Sequence, residues 1–330
     1  MSLQWGVVAT GSISTSFVEE LQRARGSQLV AVSSRSLERA KDFAGRHGAS
    51  RAYDSVEQLV ADAEVHAVYV GSPHTHHAGA TRLALEAGKA VLCEKPFTLN
   101  AQEAEQLITL SRSRGVFLME AMWTHCLPAV RRLVELVDEG AIGPVRHLSA
   151  SLGDVPPTFR TYRMTDPQLG GGALLDMGVY PLSFAHLVLG RPDRVCATAV
   201  IEGGVDLATS VALAWDGSTE RPASTAILAS SMVAGLPNDA VVVGEQARIH
   251  VPANFFQPAG FAVVRPDQDP EWVEAPYRGR GFVHEIEEVE RCVAAGLTES
   301  PLVPLDRTRA VMTLLDTVRE AIGLSYPTEG

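Results

Sequence analysis

Three side chains in this 330-residue sequence have the types and neighbours to move a proton. Asp176 and Tyr180 stand four residues apart in G-G-G-A-L-L-D-M-G-V-Y-P, so on a helix they leave one face as neighbours. The glycines Gly170 to Gly172 ahead of them let the chain approach another surface closely. Lys95 lies in E-K-P, fixed between an acid and a proline, where it could donate to a substrate oxygen. A free phenol titrates near 10, and an ammonium beside it favours the phenolate, so a tyrosine, an acid and a lysine together can act as a general acid/base. Without the lysine, the pair would read as a helix-start aspartate near a core tyrosine.

A second group of residues suits a phosphorylated ligand. The first apolar run leads into W-G-V-V-A-T-G-S-I-S, where a dinucleotide turn of the form G-x-G-x-x-G/A has its register at Ala9, Gly11 and Ser14. The middle glycine permits close approach of a pyrophosphate, and Thr10, Ser12 and Ile13 complete a turn that opens a helix with its amides free for an anion. The next run ends in A-V-S-S-R-S. There an enzyme selecting NAD would place Asp or Glu for the ribose hydroxyl, whereas Ser33, Ser34, Arg35 and Arg39 suit a 2′-phosphate and favour NADP over NAD. Ser72, Pro73, His74 and His77 of G-S-P-H-T-H-H, with Glu94 and Lys95, follow later strands and are further candidates for the cofactor edge. No carboxylate or cysteine is spaced to complete a metal site with these histidines, so no metal is expected.

The elements that would position these residues follow from periodicity. Short apolar runs at residues 3–8, 28–33, 67–70, 90–93 and 116–119 alternate with helical spacing at 14–25, 37–47, 56–62, 76–87 and 101–114. That alternation predicts parallel strands joined by right-handed crossovers, a doubly wound α/β unit. Asn100 with Glu103 forms a capping box, and Gly48 and Gly88 stand where helices should stop. Beyond about residue 145 the rhythm changes. A helix is expected at 174–189, then apolar runs at 195–201, 207–215, 224–232, 240–243, 247–251 and 261–264, too closely spaced for crossover helices and therefore an antiparallel meander. Helices at 282–295 and 306–322 close the chain. The expected class is α/β: an N-terminal Rossmann doubly wound parallel sheet over 1–122 and a C-terminal α+β domain over 123–330, built on a large, mainly antiparallel open sheet.

Composition narrows the partners. Hydrophobic residues make up 46% of the chain and charged residues 20%, which is enough to build a sizeable core. With 39 acidic and 28 basic residues the formal charge is −11, a field that disfavours nucleic acid and membrane surfaces. Four scattered cysteines without a C-x-x-C pair point to a reducing, cytoplasmic setting. The N-terminus carries no basic region ahead of its apolar run, so no signal peptide is expected.

Taken together, the N-terminal nucleotide unit, E-K-P and G-G-G-x-L-x-D-x-G-x-[HY] resemble the glucose–fructose oxidoreductase/inositol dehydrogenase superfamily over nearly the whole chain. M-E-A-M-W at 119–123, the T-G-x-I turn, S-S-R and tyrosine in the last motif position resemble the branch of dimeric dihydrodiol dehydrogenases and NADP-dependent D-xylose 1-dehydrogenases. The resemblance implies Lys95, Asp176 and Tyr180 as catalytic residues and Trp123 as an aromatic lining the substrate and nicotinamide pocket. It also implies a homodimer through the second sheet, and hydride transfer between NADP and the hydroxyl-bearing carbon of a sugar such as D-xylose or of a trans-dihydrodiol. Two alternatives on the same fold are a hydrolase using tightly held NAD in a transient oxidation and a non-catalytic NADP-binding sensor. The chain departs from the wider superfamily at Ala9 and Ser14, where glycines are typical, and in Thr-His-Cys after Trp123.

Overall fold

The computed structural model describes residues 2–155, 162–219 and 222–329. The chain divides into two compact units, Met1–Cys126 with Arg278–Arg309, and Leu127–Tyr277 with Ala310–Gly330.

The first unit is built on β1 (Leu3–Val8), α1 (Ser12–Leu21), β2 (Ser27–Ser33), α2 (Leu37–His47), β3 (Arg51–Tyr53), α3 (Val56–Ala61), β4 (Ala67–Val70), α4 (His77–Glu86), β5 (Ala90–Glu94), α5 (Ala101–Arg114) and β6 (Leu118–Ala121). All six strands are parallel in the order β3-β2-β1-β4-β5-β6. β4, β5 and β6 are buried at every position, the burial expected of strands covered on both faces. Local chemistry fixes the boundaries. Asn100 Oδ1 accepts from the Glu103 amide at 2.9 Å while Glu103 Oε2 accepts from Leu99 N at 3.1 Å, and Gly48 closes α2 in the left-handed conformation.

The second unit holds α6 (Pro128–Asp138), β7 (Val145–Gly153), the single turn α7 (Tyr162–Thr165), a π-helical turn Leu174–Gly178 running into α8 (Val179–Leu189), β8 (Arg194–Glu202), β9 (Val205–Trp215), β10 (Ser224–Ser231), β11 (Ala240–Gly244), β12 (Arg248–Val251), β13 (Gly260–Val264) and β14 (Glu271–Glu274). Then α9 (Phe282–Ala294) belongs to the first unit, and α10 (Leu305–Ile322) begins there and ends in the second. The eight strands run β14-β13-β12-β11-β7-β10-β9-β8. α8 packs across β7 and β10 on one face of the sheet. The apolar stretch Pro167–Leu189 is long enough to cross a membrane, but 78% of its most apolar window is buried inside the protein, the behaviour of a core helix.

Two features differ from the sequence expectation. The strands are not a simple meander, because β7 inserts between β10 and β11 and pairs parallel with β10. Its sequence, V-R-H-L-S-A-S-L-G, puts Arg146, His147, Ser149 and Ser151 on the more open face, which dilutes the apolar signal. The single boundary at 122/123 also gives way to an interleaved division. Residues 278–309 pack with the first unit because α9 presents Phe282, Val283, Ile286, Val289 and Cys292 as a buried stripe against α1 and the Trp123–Cys126 turn. Glu20, almost fully buried on α1, accepts from Arg280 N at 2.8 Å.

Candidate active site

In the first unit the site is an edge. Val8 is in register with Ser33 on one side and Val70 on the other, Val70 with Cys93, and Glu94 with Ala121. Parallel pairing therefore brings the segments after β1, β2, β4, β5 and β6 out along one edge. The strand order reverses between β1 and β4, the place where open α/β sheets take ligands. Ala9, Thr10, Gly11, Ser12 and Ile13 form the turn into α1, Ser33 to Arg35 follow β2, Ser72 to His74 follow β4, and Glu94 and Lys95 end β5.

The turn after β1 fits a pyrophosphate. Ala9 takes φ +74°, the left-handed conformation that glycine adopts without strain. Gly11 is extended at φ −76°, and a Cβ built on it would meet nothing within 4 Å, so the space beside its backbone is open. Ser33 Oγ and Ser72 Oγ are buried atoms with no hydrogen-bond partner among the described residues. Buried hydroxyls of this kind need an acceptor or donor from elsewhere, and a nucleotide lying along the edge supplies both. Arg35 and Arg39 are exposed, and Arg35 is close enough to His76 for its charge to lower that imidazole, after the larger effect of burial.

His77 has a different part from the one expected. Its ring is buried, with Nδ1 2.9 Å from Pro96 O and Nε2 2.8 Å from Ser72 O. Burial, and then His74, push it down to about 3, so the ring is neutral and only one nitrogen can donate. Both ring nitrogens thus face backbone carbonyls, one after β4 and one after β5, and neither is turned towards a ligand. Glu94 is likewise held within the protein: Oε1 accepts from the Tyr69 hydroxyl at 2.6 Å and Oε2 from Lys95 N at 3.2 Å. Lys95 precedes a cis proline, Pro96. Glu120 accepts from Phe97 N and from the Thr308 hydroxyl, and burial raises its carboxyl to about 7. Trp123 is buried with its ring 4.7 Å from that of Phe282.

The second unit, taken by itself, carries Asp176 and Tyr180. Asp176 lies in the π-helical turn and accepts from Arg163 Nη2 at 3.0 Å, and Tyr180 opens α8 with its ring 5.3 Å from Phe256. The expected regular helix is therefore interrupted where the acid sits, and π turns of this sort cluster at functional positions. Sequence reasoning missed Arg163, and also the buried acids Glu120, Asp206 and Glu285. Glu285 does carry a signal, since helical spacing from Phe282 and Val289 puts it on the apolar face of α9. A cavity of about 300 Å³ lies beside the start of β2, lined by residues including Val18, Leu21, Ser27 and His47, away from the ends of the strands that form the nucleotide edge.

Two family models match. Residues 3–122 fit the GFO/IDH/MocA oxidoreductase family, NAD-binding Rossmann fold, and residues 130–250 fit the GFO/IDH/MocA C-terminal domain. The chain belongs to the GFO/IDH/MocA oxidoreductase family. It is 34% identical over 337 residues to the trans-1,2-dihydrobenzene-1,2-diol dehydrogenase of Xenopus tropicalis, covering 99% of this chain and 100% of that one. Among solved structures it is similar to the 3-ketoreductase KijD10 of Actinomadura kijaniata in complex with NADP and TDP-benzene, with TM-score 0.86, 30% identity and 98% of each chain covered. The aldose–aldose oxidoreductase of Caulobacter crescentus shares the fold at TM-score 0.87 and 22% identity, with 97% of each chain covered. Family membership makes the chain an oxidoreductase with an NAD(P)-binding Rossmann unit, a dehydrogenase acting on CH–OH groups.

Proposed function

We propose that the chain is an NADP-dependent dehydrogenase of a trans-dihydrodiol or an aldose. The full-length likeness to a trans-1,2-dihydrobenzene-1,2-diol dehydrogenase carries the reading. Retention of Lys95, Asp176 and Tyr180 supports it, because a nucleotide sensor needs no acid/base. NADP is favoured by the exposed Arg35 two residues beyond the buried Ser33 hydroxyl, a pairing suited to a 2′-phosphate, and KijD10 is a relative solved with NADP.

The bound nicotinamide supplies a hydride acceptor in the oxidative direction. Tyr180 then takes the hydroxyl proton at its phenolate oxygen as the substrate C–O becomes a carbonyl. Lys95 stabilises that phenolate and the substrate oxygen, Asp176 orients the polar network, and Trp123 lines the pocket. An aldose would leave as a lactone. A dihydrodiol would leave as a ketone that tautomerises to a catechol. Four cysteines without a disulfide support a reducing cytoplasmic setting. We also read the open face of the second sheet, where Val200 and Ile227 are exposed, as the contact between two copies.

The deciding experiment measures NADPH formation with pentoses, hexoses and aromatic trans-dihydrodiols, for the native chain and for Tyr180→Phe. Turnover of one class, lost in the variant at unchanged NADP affinity, is the expected result. NADP binding without net reduction by any of these alcohols, or full activity in Tyr180→Phe, would overturn the reading.

A further inference from the structure

The glycine turn that leads to Asp176 and Tyr180 is gripped from two sides within the second unit. On one side is Asp206, fully buried at the start of β9. Its Oδ2 accepts from the Leu174 amide at 2.8 Å and from the Thr209 hydroxyl at 2.6 Å. Gly172 stands at φ +118°, and a Cβ built there would fall 2.3 Å from Asp206 Oδ1, so only glycine lets the carboxylate come this close. Gly171 is equally confined, since its Cβ would lie 2.6 Å from Met164 O. On the other side is Tyr326, whose hydroxyl donates to Gly171 O at 2.7 Å.

Tyr326 is itself fixed in place. Its amide donates to Glu329 Oε2 at 3.0 Å, Arg319 pairs with both Glu329 and Asp316, and the Arg319 guanidinium lies 5.3 Å from the Tyr326 ring centroid. A carboxylate and a hydroxyl therefore converge on the backbone between Gly171 and Leu174, immediately ahead of the two side chains assigned to proton transfer. None of these groups is needed merely to start a helix, because an ordinary cap uses one side chain.

We propose that Asp206 and Tyr326 are positioning residues for Asp176 and Tyr180, and that the segment from Leu324 to Glu329 serves to hold the glycine turn through Tyr326. The proposal rests on the reading of Tyr180 as the acid/base. A shift of about 1 Å in a reacting group costs on the order of a hundredfold in rate, and the glycine turn is where such a shift would originate.

Tyr326→Phe removes one hydroxyl and keeps the ring against Arg319. The expected result is a fall in kcat of tenfold or more, with NADP affinity unchanged and substrate KM altered by less than twofold. The pH at which oxidative kcat reaches half its plateau should also move up, towards the roughly 10 of a free phenol. A purely structural role would lower the active fraction and leave that profile in place. Thr209→Val, which takes one donor from Asp206 without touching the turn, should give a smaller loss of the same kind and serves if Tyr326→Phe does not fold. Native kcat and an unmoved pH profile in the folded variants would overturn the proposal. Tyr180→Phe run alongside separates the two readings: if it is inactive while Tyr326→Phe is native, the positioning role alone fails, and if Tyr180→Phe is active the acid/base assignment fails and the positioning role with it.

Discussion

The Tyr69 hydroxyl donates to Glu94 Oε1 at 2.6 Å, at the centre of a cluster of buried acids. The phenol donates, so Glu94 Oε1 is the acceptor, while Oε2 accepts from Lys95 N. Glu285, fully buried on α9 with no partner for either oxygen among the described residues, is pushed well above its ordinary value by burial and then by its proximity to Glu94. Burial likewise raises Tyr69, which keeps its proton. Glu120 sits nearby with its own raised value of about 7.

These shifts make the folded protein bind more protons than the unfolded chain, so stability falls as pH rises. For Glu120 the window runs from about 4.5 to about 7, and the loss is on the order of 3 kcal/mol. His77, pushed down to about 3, works in the opposite sense up to the roughly 6.5 of a free imidazole, so the variant is the test: between pH 5 and pH 8 the native chain should lose more stability, or gain less, than Glu120→Gln in denaturant unfolding. Glu285→Gln should be better tolerated than Glu285→Ala, since the native group is already neutral and its amide fills the same volume. A Glu120→Gln variant with the same pH dependence as the native chain would contradict the assignment.

Gly11 and Ala9 separate function from stability. The backbone at Gly11 suits any residue and the added Cβ is unopposed, so Gly11→Ala should leave the unfolding free energy unchanged or raise it by up to about 1 kcal/mol. NADP affinity should nevertheless fall, because the methyl enters the space assigned to the pyrophosphate. Ala9→Gly works in reverse, relieving the cost of φ +74° by about 1 kcal/mol, partly offset by the freedom glycine gives the unfolded chain. Thermal unfolding with and without NADP measures both.

Arg35→Ala tests the cofactor assignment. A charge-assisted contact to phosphate contributes about 1.5–3 kcal/mol, so NADP affinity should drop roughly tenfold to a hundredfold while NAD affinity stays within twofold. Equal weakening of both would remove Arg35 from the 2′-phosphate site.

The open sheet makes a prediction about assembly. Cys196, Ala212, Ile227, Ser149 and Val241 lie in one cross-strand row, and Ile227 is 60% exposed. Ile227→Glu should convert a dimer to monomers in sedimentation experiments, because a charge in the centre of an apolar contact is left unpaired. A native chain that sediments as a monomer at micromolar concentration would end this reading.

The parallel sheet was legible because strands covered on both faces must be apolar throughout, and the expected bounds of β1, β4, α2 and α5 coincide with those observed. β3 and β7 were not legible, the first for its three residues and the second for its serines on the open face. The candidate site residues were legible where a short motif carries them. Asp206 and Tyr326 belong to no motif, and their role arises from what folding brings against Gly171 and Gly172. An acid between Val205 and Leu207 at the head of an apolar strand is the trace Asp206 leaves in the sequence. The return of residues 278–309 to the first unit depends on tertiary pairing such as Glu120 with Thr308 at the start of α10, which no local pattern encodes.

That return imposes an order on biosynthesis. At roughly 5–20 residues per second, the ribosome releases β5 and β6 on the order of ten seconds or more before α9 exists. During that interval the nascent first unit has Glu94 without Glu285 and Glu120 without the Thr308 hydroxyl, and the faces of α1 and Trp123 that α9 covers are still bare. Folding therefore cannot finish domain by domain from the N-terminus. A gene fragment ending at residue 122 would encode an incomplete nucleotide module, and a transplantable one would have to carry residues 278–309 as well.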